Sequence, residues 1–232
     1  MERKIMKSGV PGLDKLLGGG FFESQILTLS GPTGSGKSTF AMQFLYNGAV
    51  EYNETGLYIA IEESKESMEF HMCGYKWNLK QAEKNKQLVF LDYPIYEVDQ
   101  FMNQYSAIQE IIQTTGVKRV VVDSIMPVAL YFQNQEDRKK GFLKLIDNIR
   151  KWGVCTMVVS EDTPASTQDV LPATRYGIET FTDAWIHIYY LFDAKKRERI
   201  RAVEVLKMKG AHHSNKIYPA RITDSGFEII TK

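Results

Sequence analysis

Gly31-Pro32-Thr33-Gly34-Ser35-Gly36-Lys37-Ser38 is the stretch whose reading decides the fold. It fits GxxxxGK[ST], in which glycines let the backbone curl until its amides point inward and form a concavity for anions. The motif requires an apolar strand before it and an amphipathic helix after it. Residues 26–30 read as that strand. Residues 37–51 read as the helix, with Phe40, Phe44 and Gly48 on one side, joined by Ala41, Leu45 and Ala49. The stretch from Gly31 to Thr39 is therefore expected to grip a nucleoside triphosphate. Lys37 would reach the β- and γ-phosphates, the Ser38 hydroxyl would coordinate Mg²⁺, and the positive end of the helix would face the same phosphates.

Outward from the loop, short apolar runs alternate with stretches of helical period. Further strands are expected at residues 57–61, 88–92, 117–123 and 154–160. Helices are expected at 64–74, 98–115 and 136–152. Continuous apolar strands alternating with helices imply a mostly parallel sheet covered on both faces. After residue 180 the pattern changes. Residues 184–192 and 200–208 flank a polar turn, and 217–222 and 227–230 flank Asp224-Ser225-Gly226, so two antiparallel hairpins are expected. With no repeat, low-complexity tract or linker, the 232 residues read as one α/β domain.

A Mg²⁺ site needs a second anchor, usually an acid ending another apolar strand. Val120-Val121-Val122-Asp123 supplies Asp123 at the carboxyl edge, where ligands bind in such sheets. Hydrolysis also needs a group to orient water. Glu62 and Glu63 directly follow the strand at 57–61 and suit that role, although acids ahead of Ser64 would equally complement a helix dipole.

Composition narrows the class. The chain has 29 basic and 28 acidic residues, a net charge of +1, which exerts no global pull on nucleic acid or an anionic surface. Cys73 and Cys155 sit far apart, without a metal-binding pattern, and are expected as buried free thiols in a reducing, cytoplasmic setting. The longest near-apolar run, residues 120–132, is interrupted by Asp123, Ser124 and Pro127 and is too short to cross a bilayer. No membrane insertion is expected.

GTPases are excluded because Asn85-Lys86-Gln87-Leu88 and Asn215-Lys216-Ile217-Tyr218 both lack the aspartate of a guanine-reading NKxD. No LSGGQ-like transporter signature occurs, and two C-terminal hairpins do not suit small-molecule kinases. The chain resembles the KaiC-like branch of the RecA/RadA ATPases. The resemblance runs through Ser8-Gly9-Val10-Pro11-Gly12-Leu13-Asp14, Leu17-Gly18-Gly19-Gly20-Phe21, the phosphate loop, and Leu57-Tyr58-Ile59-Ala60-Ile61-Glu62-Glu63-Ser64. It continues through Val121-Val122-Asp123-Ser124 and Val205-Leu206-Lys207-Met208-Lys209-Gly210 with His212, His213 and Ser214.

The resemblance implies a RecA-type fold and a homo-oligomer, a hexameric ring with ATP between subunits. It assigns the catalytic glutamates to Glu62 and Glu63. It makes Lys207 and Lys209 cations that act on the neighbouring subunit's γ-phosphate. Where the family usually has arginine this chain has Lys209, a mobile point charge in place of a bidentate fork, so slow hydrolysis is expected. Adjacent His212 and His213 without further ligands make a poor metal site and suit polar interface contacts.

In RecA-type rings two loops face the central channel. Here residues 133–140 carry mixed charge, and residues 161–180 carry Glu161, Asp162, Asp169 and Glu179 against Arg175 alone. A channel for single-stranded DNA should be basic and aromatic, so DNA threading is disfavoured. The densest basic patch, Lys195, Lys196, Arg197, Arg199 and Arg201, reads first as a solubilising hairpin tip. Thr180 and Thr182 match a region that carries phosphorylated hydroxyls in KaiC, which makes Thr180 an autophosphorylation candidate. The leading expectation is a regulatory ATPase ring that signals to an unidentified protein partner. A DNA-repair accessory and a nucleotide-bound scaffold with little turnover are the alternatives.

Overall fold

The computed structural model describes residues 4–162 and 171–231. A short pair, β1 (Ile5–Met6) and β2 (Phe21–Phe22), brackets one helical turn, α1 (Leu13–Leu16). The elements then run β3 (Ile26–Gly31), α2 (Lys37–Tyr52), β4 (Gly56–Ala60), α3 (Lys65–Met72), α4 (Leu79–Lys84) and β5 (Leu88–Asp92). They continue with α5 (Val98–Asn103), α6 (Tyr105–Thr115), β6 (Arg119–Asp123), α7 (Met126–Tyr131), α8 (Gln135–Lys151) and β7 (Cys155–Glu161). The chain closes with β8 (Ala184–Asp193), β9 (Glu198–Met208), β10 (Tyr218–Thr223) and β11 (Gly226–Ile229).

The main sheet has nine strands in the order β11-β10-β9-β8-β3-β7-β6-β4-β5. From β8 to β5 every pairing is parallel, and from β8 to β11 every pairing is antiparallel. The parallel part is buried on both faces, which is why its strands read as continuous apolar runs. Side chains alternate between two cores. Leu27, Leu29, Tyr58, Val121, Met157 and Val159 pack against α2, whereas Ile26, Leu57, Ile59, Val120, Val122 and Val158 pack against Ile108, Ile112, Leu145 and Ile149 of α6 and α8.

α2 is buried between the sheet and the C-terminal strands. Phe40 meets Phe227 edge-on at 5.3 Å, and Phe44 meets Phe21 at 5.9 Å. Gly48 in its last turns leaves room for the fully buried Arg119: a Cβ at Gly48 would stand 2.3 Å from Arg119 Nε. Arg119 donates to Glu54 Oε2 (2.7 Å), Phe44 O (2.9 Å), Ser8 O (3.3 Å) and Lys7 O (2.6 Å), so one guanidinium ties the N-terminal segment, α2 and β6 together.

Three local expectations need correction. The helix expected over residues 98–115 is two, parted at Gln104, whose side chain accepts from Tyr93 Oη (3.0 Å). Residues 135–140 are helical rather than a loop, because Asn134 caps the Asp137 N–H and α8 begins at Gln135. Cys155 is buried and its thiol pushed up to about 12 by burial, but Cys73, at the end of α3, is exposed. Of the acidic segment 161–180, Asp169 lies outside the described residues. Among the described residues no helix is long and apolar enough to cross a membrane.

Candidate functional site

β3 ends at Gly31 and α2 starts at Lys37, so the glycine-rich loop joins a central strand to a buried helix. Gly36 caps α2 at φ 101°, a left-handed value that favours glycine. Lys37 Nζ donates to Gly31 O (2.9 Å) and Pro32 O (3.1 Å), placing the ammonium on the loop's own carbonyls. Burial lowers its proton affinity, and the nearby charges of Asp123, Glu161, Asp162 and Glu62 pull the other way. Ser35 Oγ is buried in the loop without a hydrogen-bond partner among the described residues, a donor with nothing yet to bond.

A cavity of about 290 Å³ opens beside the loop, lined by residues of the 33–39 stretch and by Glu62, Asp123, Ser124 and Glu161. Asp123 Oδ2 accepts from Tyr58 Oη at 2.7 Å. Burial raises the Asp123 carboxyl, opposed by the hydroxyls of Tyr58 and Ser38 and by Lys37. Glu62 accepts from Ser124 Oγ (2.9 Å), and its carboxyl is raised chiefly by burial. Glu63 turns away from the cavity: its carboxylate accepts from Ser67 Oγ (2.6 Å) and meets His71 Nδ1 (2.5 Å) on α3. The structure thus separates the two acids, with Glu62 in the cavity and Glu63 against the helix that follows it.

The hydroxyl of Ser38 and the carboxylate of Asp123 are hard oxygen donors on one cavity wall. Mg²⁺ takes one or two such ligands together with waters and phosphate oxygens, so the donor set fits it. Among the described residues no cluster of three or more His, Cys, Asp or Glu side chains is arranged for an all-protein metal site, and His213 Nδ1 lies against Ser214 O (3.0 Å).

Sequence reasoning missed the roles of two residues at the loop, Arg201 and Glu161. Arg201 of β9 donates from Nε to Ser35 O (2.9 Å) and from Nη2 to Gly34 O (3.0 Å), and its guanidinium lies 4.6 Å from the Tyr190 ring centroid. It is a fastening of the phosphate loop rather than part of a solubilising tip. Glu161 could have been found by the rule that found Asp123, since it is an acid ending an apolar strand. Behind the loop, buried His187 Nδ1 lies 2.8 Å from Ser30 Oγ, which accepts from Trp185 Nε1 (2.7 Å), while Nε2 lies 3.5 Å from Asp162 Oδ2. Burial pushes His187 down to about 4 and Asp162 up to about 6.

Lys207 and Lys209 do not line this cavity. Lys207 Nζ donates to Glu179 O (2.9 Å) and Lys209 pairs with Asp183 at 3.5 Å. Thr180 is exposed and its hydroxyl donates to Gly177 O (2.8 Å).

The model of the family described as "ATPase: KaiC" matches residues 6–232. The chain is 29% identical to the circadian clock oscillator protein KaiC of Parathermosynechococcus lividus, covering 96% of this chain but 42% of that protein. It spans less than half of the clock proteins it matches. It is 28% identical to a UPF0273 protein of Thermotoga maritima, with 97% of this chain and 96% of the relative covered. Among solved structures, the crystal structure of a KaiC-like protein from Pyrococcus horikoshii OT3 superposes with a TM-score of 0.85 at 32% identity. That match covers 99% of this chain and 100% of the other.

Proposed function

The chain belongs to the KaiC ATPase family, and from that premise we propose that it binds ATP with Mg²⁺ in the cavity beside residues 31–39 and hydrolyses it slowly as one RecA-type domain. The observation that carries this reading is the seat of Lys37 on the carbonyls of Gly31 and Pro32, beside the oxygens of Ser38 and Asp123. The triphosphate displaces the ammonium from those carbonyls and takes its charge. The inward amides and the start of α2 bind the remaining phosphate oxygens. Ser38 and Asp123 would hold Mg²⁺, which supplies charge neutralisation on the β- and γ-phosphates. Glu62, held by Ser124, lies where it can orient water. Glu63 acts through α3, because its carboxylate is engaged with Ser67 and His71 on that helix.

Lys207 and Lys209 belong in this scheme only if the chain forms a ring, in which they reach the neighbouring subunit's nucleotide. That neither lysine lines the chain's own cavity, and that Lys209 is exposed and Lys207 half-buried, supports that arrangement. A hexamer responding to nucleotide, signalling to a protein partner, is the proposed working form. The nucleic-acid alternative loses support because Arg199 stacks on Tyr190 and Phe192 and Arg201 is spent on the loop, which thins the basic patch. Light scattering with and without MgATP tests the proposal. A mass near six subunits with MgATP, and phosphate release that falls in a Lys207→Ala variant, are expected. A monomer in both conditions would remove the ring and its trans-acting lysines and leave the nucleotide site standing.

A further inference from the structure

Three carboxylates, Glu62, Asp123 and Glu161, share the cavity wall with the single ammonium of Lys37. Two of the three are engaged: Asp123 accepts from Tyr58 and Glu62 accepts from Ser124. The Glu161 carboxylate has no hydrogen-bond or ion-pair partner among the described residues, yet its backbone is firmly placed. In the parallel pairing of β3 with β7 it stands opposite Gly31, the first residue of the phosphate loop. Its carbonyl accepts from Arg175 N (3.0 Å) and Ser160 Oγ (3.2 Å). With Lys37, Ser38 and Glu62 it lines the cavity beside the phosphate loop.

An ionised carboxylate cannot lie against a triphosphate unless a donor stands between them, because the two repel. Water is such a donor, and hydrolysis requires one water in that place. We propose that Glu161 is a further catalytic residue, whose carboxylate orients the attacking water and takes its proton. The inference rests on the ATPase reading above. In the step, the water oxygen bonds to Pγ. The bond from Pγ to the bridging oxygen breaks, with its electron pair leaving on ADP, and the proton passes to a Glu161 carboxylate oxygen before release to solvent. Glu161 thereby fills the place that Glu63, turned to α3, does not.

Glu161→Gln in the full chain tests this, because it keeps size and hydrogen bonding while removing the charge and the base. Turnover is expected to fall about a hundredfold or more, as for loss of a general base, with KM little changed. In EDTA the same variant is expected to bind ATP about threefold tighter or better, with ADP unchanged, because a charge facing only the γ-phosphate has gone. Glu161→Asp, which keeps the base at shorter reach, should give intermediate turnover and guards against misfolding in the first variant. Wild-type turnover in Glu161→Gln would overturn the role of Glu161 alone. Loss of MgATP binding together with turnover would also overturn it, by making the residue structural. A wild-type chain that binds ATP and releases no phosphate would instead overturn the hydrolysis reading, and this proposal with it.

Discussion

Arg201→Ala should weaken nucleotide binding without touching a nucleotide-facing atom. Arg201 holds the carbonyls of Gly34 and Ser35 from the β9 side. In a trans peptide the carbonyl and the following N–H point in opposite directions, so this grip turns the amides of Ser35 and Gly36 away from β9. The loop's other restraints include the Ser35 N–H to Pro32 O bond (3.1 Å), the Phe40 N–H to Gly36 O bond (2.9 Å) and the Lys37 contacts, and nucleotide binding removes the last of these. Ordering one backbone residue costs about 1–2 kcal/mol, and two residues lose their tether. Other loop contacts persist, so roughly half of the summed range should appear in binding, about 1–2 kcal/mol. This is a loss of about five- to thirtyfold in affinity. Calorimetric titration of MgADP into both chains measures it. Arg201→Lys, one point charge in place of a fork, should recover part of the loss. Equal affinities in wild type and Arg201→Ala, at an unchanged melting temperature, would refute the reasoning.

Three further outcomes follow from the packing. Arg119→Met removes the group that satisfies Glu54 and the carbonyls of Phe44, Ser8 and Lys7, and should cost about 3 kcal/mol or more, a fall in Tm of roughly 6–12 °C by calorimetry. Gly36→Ala places a Cβ 2.6 Å from Ile222 Cδ1 at a backbone φ of 101° and should weaken ATP binding more than tenfold, about 1.4 kcal/mol, read by fluorescent-nucleotide titration. Asp162 titrates near 6 in the fold against 3.8 ordinarily, so the native state holds the proton more tightly and loses stability as pH rises from about 4 to about 6. Asp162→Asn should therefore raise Tm by roughly 3 °C at pH 7.5 and by little at pH 4; equal gains at both pH values would contradict this.

The parallel half of the sheet was legible because burial on both faces leaves mostly apolar runs in its strands, as in Val120-Val121-Val122. The phosphate loop and Asp123 were legible because their chemistry fixes residue type and spacing together. What stayed hidden depends on tertiary contact. The α7 helix was obscured because Pro127 reads as an interruption, whereas here it sits in the first turn, where its missing N–H has no partner to lose. The α4 helix, only six residues long, begins at the Asn78 cap. Glu62 and Glu63 look equivalent in sequence, and only α3, which brings Ser67 and His71 to Glu63, tells them apart. Arg201 was indistinguishable from its basic neighbours until β9 lay two strands from β3.

The place of β3 in the sheet also bears on how the protein could be taken apart. On one side β3 is flanked by β7, and every strand beyond it comes from before residue 162. On the other side it is flanked by β8, and every strand beyond that comes from after residue 171. The polypeptide therefore divides into two contiguous pieces whose shared seam runs along the phosphate-loop strand. Expressed as separate fragments, the pieces would meet at that seam, with Arg201 from the second closing on Gly34 and Ser35 of the first. A complementation pair cut between them would couple reassembly to nucleotide, and so report ligand occupancy as fragment association.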